Sequence, residues 1–515
     1  MTSFVGYPSS YRAPFTAMQI LFNQGPSNAP SGPRSALYVG PKTASGTALV
    51  NTVYQIDTEL DAITLFGPGS PLHRAIKIHL LSNTFGGLFA MCYAASSGSG
   101  VASATGTFTI GGAPTATGNV TGVHCGELIT TSFTTLDTPT TIAAAHAAQV
   151  NAKTWLPYTA TPVAGVITLT AKTAGSSQGD GTIGVLRFHA TVDPGKGVTV
   201  AQSATALGIT PGVAGADGAT TELANLTAAL AVVSGVRYYY IGCTVWSAAQ
   251  IAPVVLHNFT KSQTNPGLRS RSFSGFTGSG SACSTIAVTQ NYERHHVCHQ
   301  VNSEWDPAYL VGNVIATHQK AEAAIGGFVH DNYRDKDWLC PAAFATSDWP
   351  SATAINSAVT DGIIEVASDQ FGSYMVMSVT TRSRDSGGTL ADFRSTETHR
   401  ISFMDAVGDR WVQRHVVQYG TGFKLQADAL LPDGTINRSQ RLPPRTLTPS
   451  DYKPFAGSQL QEGLDNGELQ GSQWLDSLAT SVDALNTGRL VATASGRTTD
   501  ILHQAAVQLS ETTPG

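Results

Sequence analysis

Four short stretches hold side chains whose types could do chemistry. His295, His296, Cys298 and His299, with Glu293 just upstream, bring imidazole, thiol and carboxylate into one run, and imidazole and thiolate are the ligands zinc prefers. A tetrahedral site needs its ligands to converge. The run reads as a strand, in which alternate side chains leave by opposite faces. His295 and His299 then point one way and His296 and Cys298 the other, and two ligands on a face do not close a site. Buried or interface histidines are the expectation, and no metal ligand is assigned.

The other three stretches fail on their own terms. Gly278-Ser279-Gly280-Ser281 is not the Gly-x-Ser-x-Gly elbow of a serine hydrolase and reads as a flexible loop. Gly40-Pro41-Lys42-Thr43 ends like a phosphate-binding loop. However, Ser35 stands where the first glycine belongs, and Pro41 removes a backbone donor that such a loop uses. Asp57, Glu59 and Asp61 alternate as calcium ligands do, but they sit at a predicted helix start, where acids suit the dipole. No catalytic residue and no cofactor is expected. The six cysteines, Cys92, Cys125, Cys243, Cys283, Cys298 and Cys340, are scattered without a Cys-x-x-Cys pair. They read as buried free thiols, with disulfides between copies left open.

A chain of 515 residues is too long for one ordinary core, and two to four domains follow. Only 13% of residues are charged, against about a quarter in a typical protein. Such a surface can pack against another copy of itself while desolvating few ions. The net charge of −5 argues against a nucleic-acid partner. The opening residues lack a secretion signal, and no apolar run approaches the ~20 residues of a membrane span. A soluble protein made in a cytoplasm, without direct membrane insertion, is expected.

The elements that would position any site are legible in order. Phe15 to Gln24 reads as an apolar strand, with Phe15, Met18, Ile20 and Phe22 along it. It is set apart by the Pro/Gly linker from Gly25 to Pro33. A strand on such a leash invites pairing with a sheet edge elsewhere. Ala36 to Val39 and Gly87 to Ala94 read as buried strands around two helices, the first capped at Asp57-Thr58 and the second opened by Ser70-Pro71. Ser96 to Gly100 reads as a flexible hinge. Beyond it a Thr/Gly-rich region alternates in short runs such as Gly106 to Ile110 and Val166 to Thr170, around a helix from Thr138 to Ala152.

Helical patterning resumes at Thr221 to Val233, followed by strands at Tyr238 to Gly242 and Arg294 to His299 and by helices at Pro307 to Ala324 and Ser351 to Thr360. Phe371 to Thr380 reads as a strand. A helix carrying Ile401, Met404, Val407, Trp411 and Val412 comes next, then helices at Thr448 to Leu464 and Ser472 to Asn486. The end is strand-like twice, at Arg489 to Thr493 and Ile501 to Leu509. The fold class is thus α+β / α/β multidomain. An arm and linker occupy 1–34, a central α/β domain 35–97 and 212–385, an inserted β-rich domain 98–211, and a small α+β domain with a terminal arm 386–515.

This order resembles the tail sheath family of contractile bacteriophages, its Mu-like branch above all. The resemblance is carried by Leu65 to Ser70 with the helix and strand after it, and by Leu136-Asp137-Thr138 through Leu156-Pro157-Tyr158-Thr159-Ala160 and Gly165 to Gly175. Glu304-Trp305, the stretch from Arg382 to Leu425 with Asp433-Gly434, and the closing segment from Arg489-Leu490 complete it. The resemblance implies a virion protein, assembled in the host cytoplasm, that polymerises into a helical tube around the tail tube and contracts to drive the tube through the host envelope. It implies an inner domain facing the tube, an outer insert, and terminal arms exchanged between copies. Here the arm strands would carry Phe15, Met18, Ile20, Phe22, Leu490, Ala492, Leu502, Val507 and Leu509. Basic residues of the inner domain would meet an acidic tube: Lys424, Arg438, Arg441, Arg445 and Lys453. Partners would be further copies, the tail tube protein, and baseplate and tail terminator proteins. The rival readings are a β-rich virion adhesin or decoration protein, and an α/β hydrolase with an accessory β domain.

Overall fold

The computed structural model describes residues 34–499 except 85, 179–185, 203–209, 245, 265–267, 324–335, 341–345, 370–371, 383–396, 421, 440 and 485–487. The expected strand at Phe15 to Gln24, and the last one with Leu502, Val507 and Leu509, lie outside the described residues.

The chain opens with β1 (Ala36–Pro41), β2 (Val53–Gln55), α1 (Glu59–Phe66), α2 (Pro71–Ser82) and β3 (Leu88–Tyr93). Thr58 caps α1 in a reciprocal box with Asp61, and Ser70 caps α2 with Pro71 in its first turn. A hydroxyl accepts a backbone N–H that the helix leaves free, and a first-turn proline has no N–H to lose.

An inserted unit follows, made of β4 (Thr105–Gly112), β5 (Gly118–His124), β6 (Glu127–Phe133), α3 (Pro139–Ala152), β7 (Tyr158–Val163), β8 (Val166–Ala171), β9 (Phe188–Val192), β10 (Val198–Ala201) and β11 (Thr210–Pro211). One sheet runs β10-β4-β8-β7 with β11 also on β4, and a second runs β6-β5-β9. Burial alternates residue by residue along β4, β5 and β8, which is the period of a strand with one face in the core. That core holds Phe108, Ile110, Val120, Ile142, Val150, Leu169 and Phe188.

The expected flexible hinge at Ser96 to Gly100 is corrected. Ser97 pairs with Thr220 and Ala102 with Ala216, and Ser96 Oγ accepts from Gly218 N at 2.9 Å while donating to Thr220 O at 2.8 Å. Entry and exit segments form a bridged neck. Small polar residues suit a paired backbone as well as a free one, so composition could not separate the two.

The central unit resumes with α4 (Glu222–Val232), β12 (Tyr240–Cys243), α5 (Ala248–Thr264), β13 (Arg271–Phe276), α6 (Gly280–Gln290), β14 (His295–His299), α7 (Pro307–Ala323), β15 (Lys336–Trp338), α8 (Ala352–Thr360), β16 (Ile363–Asp369) and β17 (Gly372–Met375). A nine-stranded sheet results, ordered β15-β17-β16-β14-β13-β12-β1-β3-β2. Its middle is parallel, while β2, β17 and β15 pair antiparallel at its ends. Successive residues of β1 serve opposite layers. Tyr38 packs with Leu72 and Ile76 of α2 and Leu310 and Val314 of α7. Leu37 and Val39 pack with Leu226 and Leu230 of α4 and Ile251 of α5. Burial of both faces explains why these strands read as unbroken apolar runs.

The C-terminal unit contains α9 (Thr398–Tyr419), β18 (Lys424–Leu425), β19 (Thr446–Leu447), α10 (Pro449–Asp465), β20 (Leu469–Gln470), α11 (Gln473–Asp476), β21 (Ala479–Val482), β22 (Leu490–Thr493) and β23 (Arg497–Thr498). Val407, Tyr452, Phe455, Leu460 and Trp474 form its core. The helix expected at Ser472 to Asn486 is corrected to the single turn of α11 followed by the paired strands β21 and β22, as the β-branched Thr480 and Val482 favour. The strand expected from Phe371 to Thr380 is shortened to β17. The architecture is a mixed α/β multidomain one.

Candidate functional site

In an open α/β sheet a ligand ordinarily sits past the carboxyl ends of the strands, where the strand order reverses. Here the chain leaves β1 for β3 on one side and returns to β12 on the other, so that crevice lies between β1 and β12. It is packed with protein. A Cβ on Gly40 would stand 2.2 Å from Thr244 Oγ1. Beyond the strand ends lies a turn of the insert, Ser176–Gln178. Trp246 Nε1 donates to Ser177 O at 2.6 Å, and the Glu222 carboxylate accepts Ser177 N at 2.7 Å and Ser177 Oγ at 2.8 Å. Burial outweighs these hydrogen bonds and pushes the Glu222 carboxyl up to about 7.

The tempting motifs are absorbed in the same way. His295 Nδ1 meets Ser272 Oγ at 2.8 Å, and His299 Nδ1 meets Glu365 Oε2 at 2.7 Å. On the other face His296 stacks on Phe273 at 4.4 Å, and Cys298 joins the apolar core. The histidines are divided between the two faces as the strand period requires. Glu293 lies in the turn before β14. The loop expected at Gly278 to Ser281 is corrected, because Ser279 caps α6 through Ala282 N. The small and hydroxyl side chains that suggested a loop are also those of a helix start. Lys42 Nζ donates to the carbonyls of Gly46 and Ala48 at 2.8 and 2.7 Å, fixing the loop after β1. Asp61 serves its cap. All six cysteines are buried thiols outside any disulfide within the chain, and burial raises the Cys125 thiol to about 11 and the Cys243 thiol to about 12.

The opposite end of the sheet holds a site that the sequence reading missed. Arg34, Arg271 and Arg294 stand at the amino ends of β1, β13 and β14, with side chains at most 7% exposed. Glu322 of α7 takes Arg34, Arg271 and Tyr240 Oη, and Ser402 Oγ of α9 at 3.1 Å. One turn on, Asp405 receives both terminal nitrogens of Arg294 at 2.7 Å and Tyr239 Oη at 3.0 Å. Another turn on, Asp409 takes Arg237 and Arg269. Burial alone would raise the Asp405 carboxyl, but Arg294, Arg269 and Arg237 hold it well below the usual carboxylate range. One face of α9 is therefore riveted to the central sheet by a largely buried ionic seam. Its far half packs on α10, where Trp411 Nε1 donates to Tyr452 Oη at 2.8 Å. Arginines flanking apolar strands, and Asp405 and Asp409 four apart in an apolar helix, were the available signal.

The five basic residues singled out for the tube all belong to the C-terminal unit and are exposed. Lys424 N donates to Arg445 O at 2.7 Å across the β18–β19 pair, which brings these two together. Arg438 and Arg441 lie in the intervening loop and Lys453 on α10. That loop also exposes Leu430, Leu431 and Ile436. Leu490 and Ala492 lie in β22 and pair with Val482 and Thr480 of their own chain.

No protein-family model matches the chain. Over 176 residues it is 30% identical to the Mu-like prophage FluMu tail sheath protein of Haemophilus influenzae, a stretch covering 34% of this chain and 36% of that relative. The match thus spans about a third of the relative's length. Among solved structures, the sheath tail protein of Listeria innocua aligns over 92% of this chain and 94% of its own, with a TM-score of 0.47 and 12% identity. That of Desulfitobacterium hafniense aligns over 94% and 99%, with a TM-score of 0.45 and 11% identity. The tail sheath resemblance read from the sequence is present in a curated relative.

Proposed function

We propose that the chain is the structural subunit of a contractile phage tail sheath, which polymerises into a helical tube around the tail tube and carries no catalytic site. The observation that carries this reading is the 30% identity to a prophage tail sheath protein over 176 residues. The packed strand ends support it, because Ser177 is held by Trp246, just past β12, and by Glu222. In this reading the C-terminal unit faces the tube and the insert lies outside. The strand at Phe15 to Gln24 and the segment from Leu490 to Leu509, whose first strand β22 keeps its pairing with β21 of its own chain, complete sheets in adjacent copies. A heterologous, non-closing contact of that kind builds a helix. Added strands supply directional backbone bonds on flexible leashes. Contraction relaxes a kinetically trapped tube to a lower free energy and needs no nucleotide.

Negative-stain microscopy of purified protein tests this. Concentration-dependent helical polymers are expected, and they should be lost when residues 1–24 are deleted. Discrete particles unaffected by the deletion would favour a decoration protein instead. Reversing Lys424, Arg438, Arg441, Arg445 and Lys453 to glutamate should weaken attachment to tail tubes at moderate salt. Unchanged attachment would discard the tube-facing assignment.

A further inference from the structure

A cleft of ≈ 550 Å³ lies between the central unit and the insert, apart from the ionic seam and the crevice at the strand ends. Thr43 and Ser45 of the loop after β1 form one wall, and Lys153, Thr154, Thr161 and Lys172 of the insert form the other. Its chemistry is one-sided: two ammonium groups and several hydroxyls line it, and among the described residues no carboxylate does.

The lysines find only weak neutral company. Lys172 Nζ donates to the Thr154 carbonyl at 2.5 Å. Lys153 Nζ lies 4.9 Å from the centre of the Trp155 ring, whose other cation is Lys77, also at 4.9 Å. Half-buried ammonium groups without a counter-charge are costly, and a negative guest removes that cost. Lys153 also stands at the C-cap of α3, where its charge offsets the helix's negative end. Lys172 is therefore the stronger anchor.

We propose that this cleft binds an oxyanion, a phosphate or carboxylate group held by Lys172 and Lys153, with hydroxyl donors from Thr43, Ser45, Thr154 and Thr161. The volume is within the range of small-molecule sites. Because donors come from both units, the guest would fix the angle between insert and central sheet. Burial, with Arg74 nearby, holds Lys172 down at about 8, and a bound anion would lift it.

The test is calorimetric titration of the full chain at matched ionic strength, with inorganic phosphate in one arm and an oligoglutamate peptide in the other. Saturable binding in either arm is expected, weakened about tenfold or more by Lys172→Met and largely kept by Lys172→Arg, as loss of a charge-assisted bond implies. Binding of phosphate alone identifies a free anion as the source, and binding of the peptide alone identifies an acidic segment of protein. Should Lys172→Met fail to fold, Lys153→Met combined with Thr161→Val reads the same loss. Saturation in neither arm, or affinity in Lys172→Met equal to that of the parent, overturns the proposal.

Discussion

Arg294 grips both carboxylate oxygens of Asp405 at 2.7 Å, and that pair joins the central sheet to the helix that founds the C-terminal unit. A bidentate guanidinium–carboxylate pair is directional as well as strong. On the same face of α9, Ser402 one turn before donates to Glu322 of α7 and Asp409 one turn after takes Arg237 and Arg269, so α9 can neither slide nor roll without stranding a buried charge. Motion of the C-terminal unit should therefore be passed to the central sheet as a rigid lever.

Asp405→Ala removes the carboxylate that grips the buried Arg294 and should cost about 3–5 kcal/mol in urea unfolding. Asp405 titrates below its unfolded value. Its contribution is thus complete above the ordinary carboxylate range and is lost as pH falls through the depressed folded value. A loss under 1 kcal/mol would mean that the seam is wet.

Glu222 gives the opposite sign. Its folded value near 7 exceeds the ordinary 4.5, so the folded state binds the proton more tightly and stability declines as pH rises from about 4.5 to 7. Glu222→Gln keeps the shape and removes the charge. It should flatten that decline, by up to about 3 kcal/mol, when urea midpoints at pH 5 and pH 8 are compared. An unchanged slope would place the titration elsewhere.

In the insert, His124 Nε2 meets His146 Nε2 at 2.9 Å, flanked by Tyr158 Oη and Thr131 Oγ1. Burial holds His124 well below its ordinary value and His146 at about 4. The unfolded chain then takes up protons first, and the insert loses stability as pH falls from about 6.5 toward 4. A His124→Gln, His146→Gln pair should abolish that acid sensitivity, read by hydrogen exchange of β5 and α3. Exchange that remained acid-sensitive in the double variant would refute this assignment.

Gly126 has φ +78°, and a Cβ there would stand 2.4 Å from the Trp305 ring. Gly126→Ala should therefore cost about 1–3 kcal/mol through strain and overpacking. The damage should appear where insert meets central unit, as faster proteolysis at the Ser97–Thr220 neck. Protection equal to that of the parent would show that the contact gives way freely.

What the sequence disclosed was local. Thr58, Ser70 and Thr138 announce their helices because a cap needs only its own first turn. Apolar runs such as Ala36 to Val39 announce strands covered on both faces. The missed features depend on distant partners. Nothing beside Arg294 names Asp405, which lies 111 residues on. Ser279 reads as loop because its helix begins with Gly280 and shows no apolar stripe, and the periodicity before Thr480 and Val482 extends a helical pattern over them. The crevice plug was invisible for the same reason: Ser177 and Glu222 are 45 residues apart.

The most direct test of the sheath assignment is a cryo-microscopy reconstruction of the purified, concentrated protein. A helical tube is expected in which residues 15–24 of each copy hydrogen-bond to a sheet of its neighbour, with the C-terminal unit lining the bore. Isolated globules whose terminal strands pair only within their own chain would contradict it.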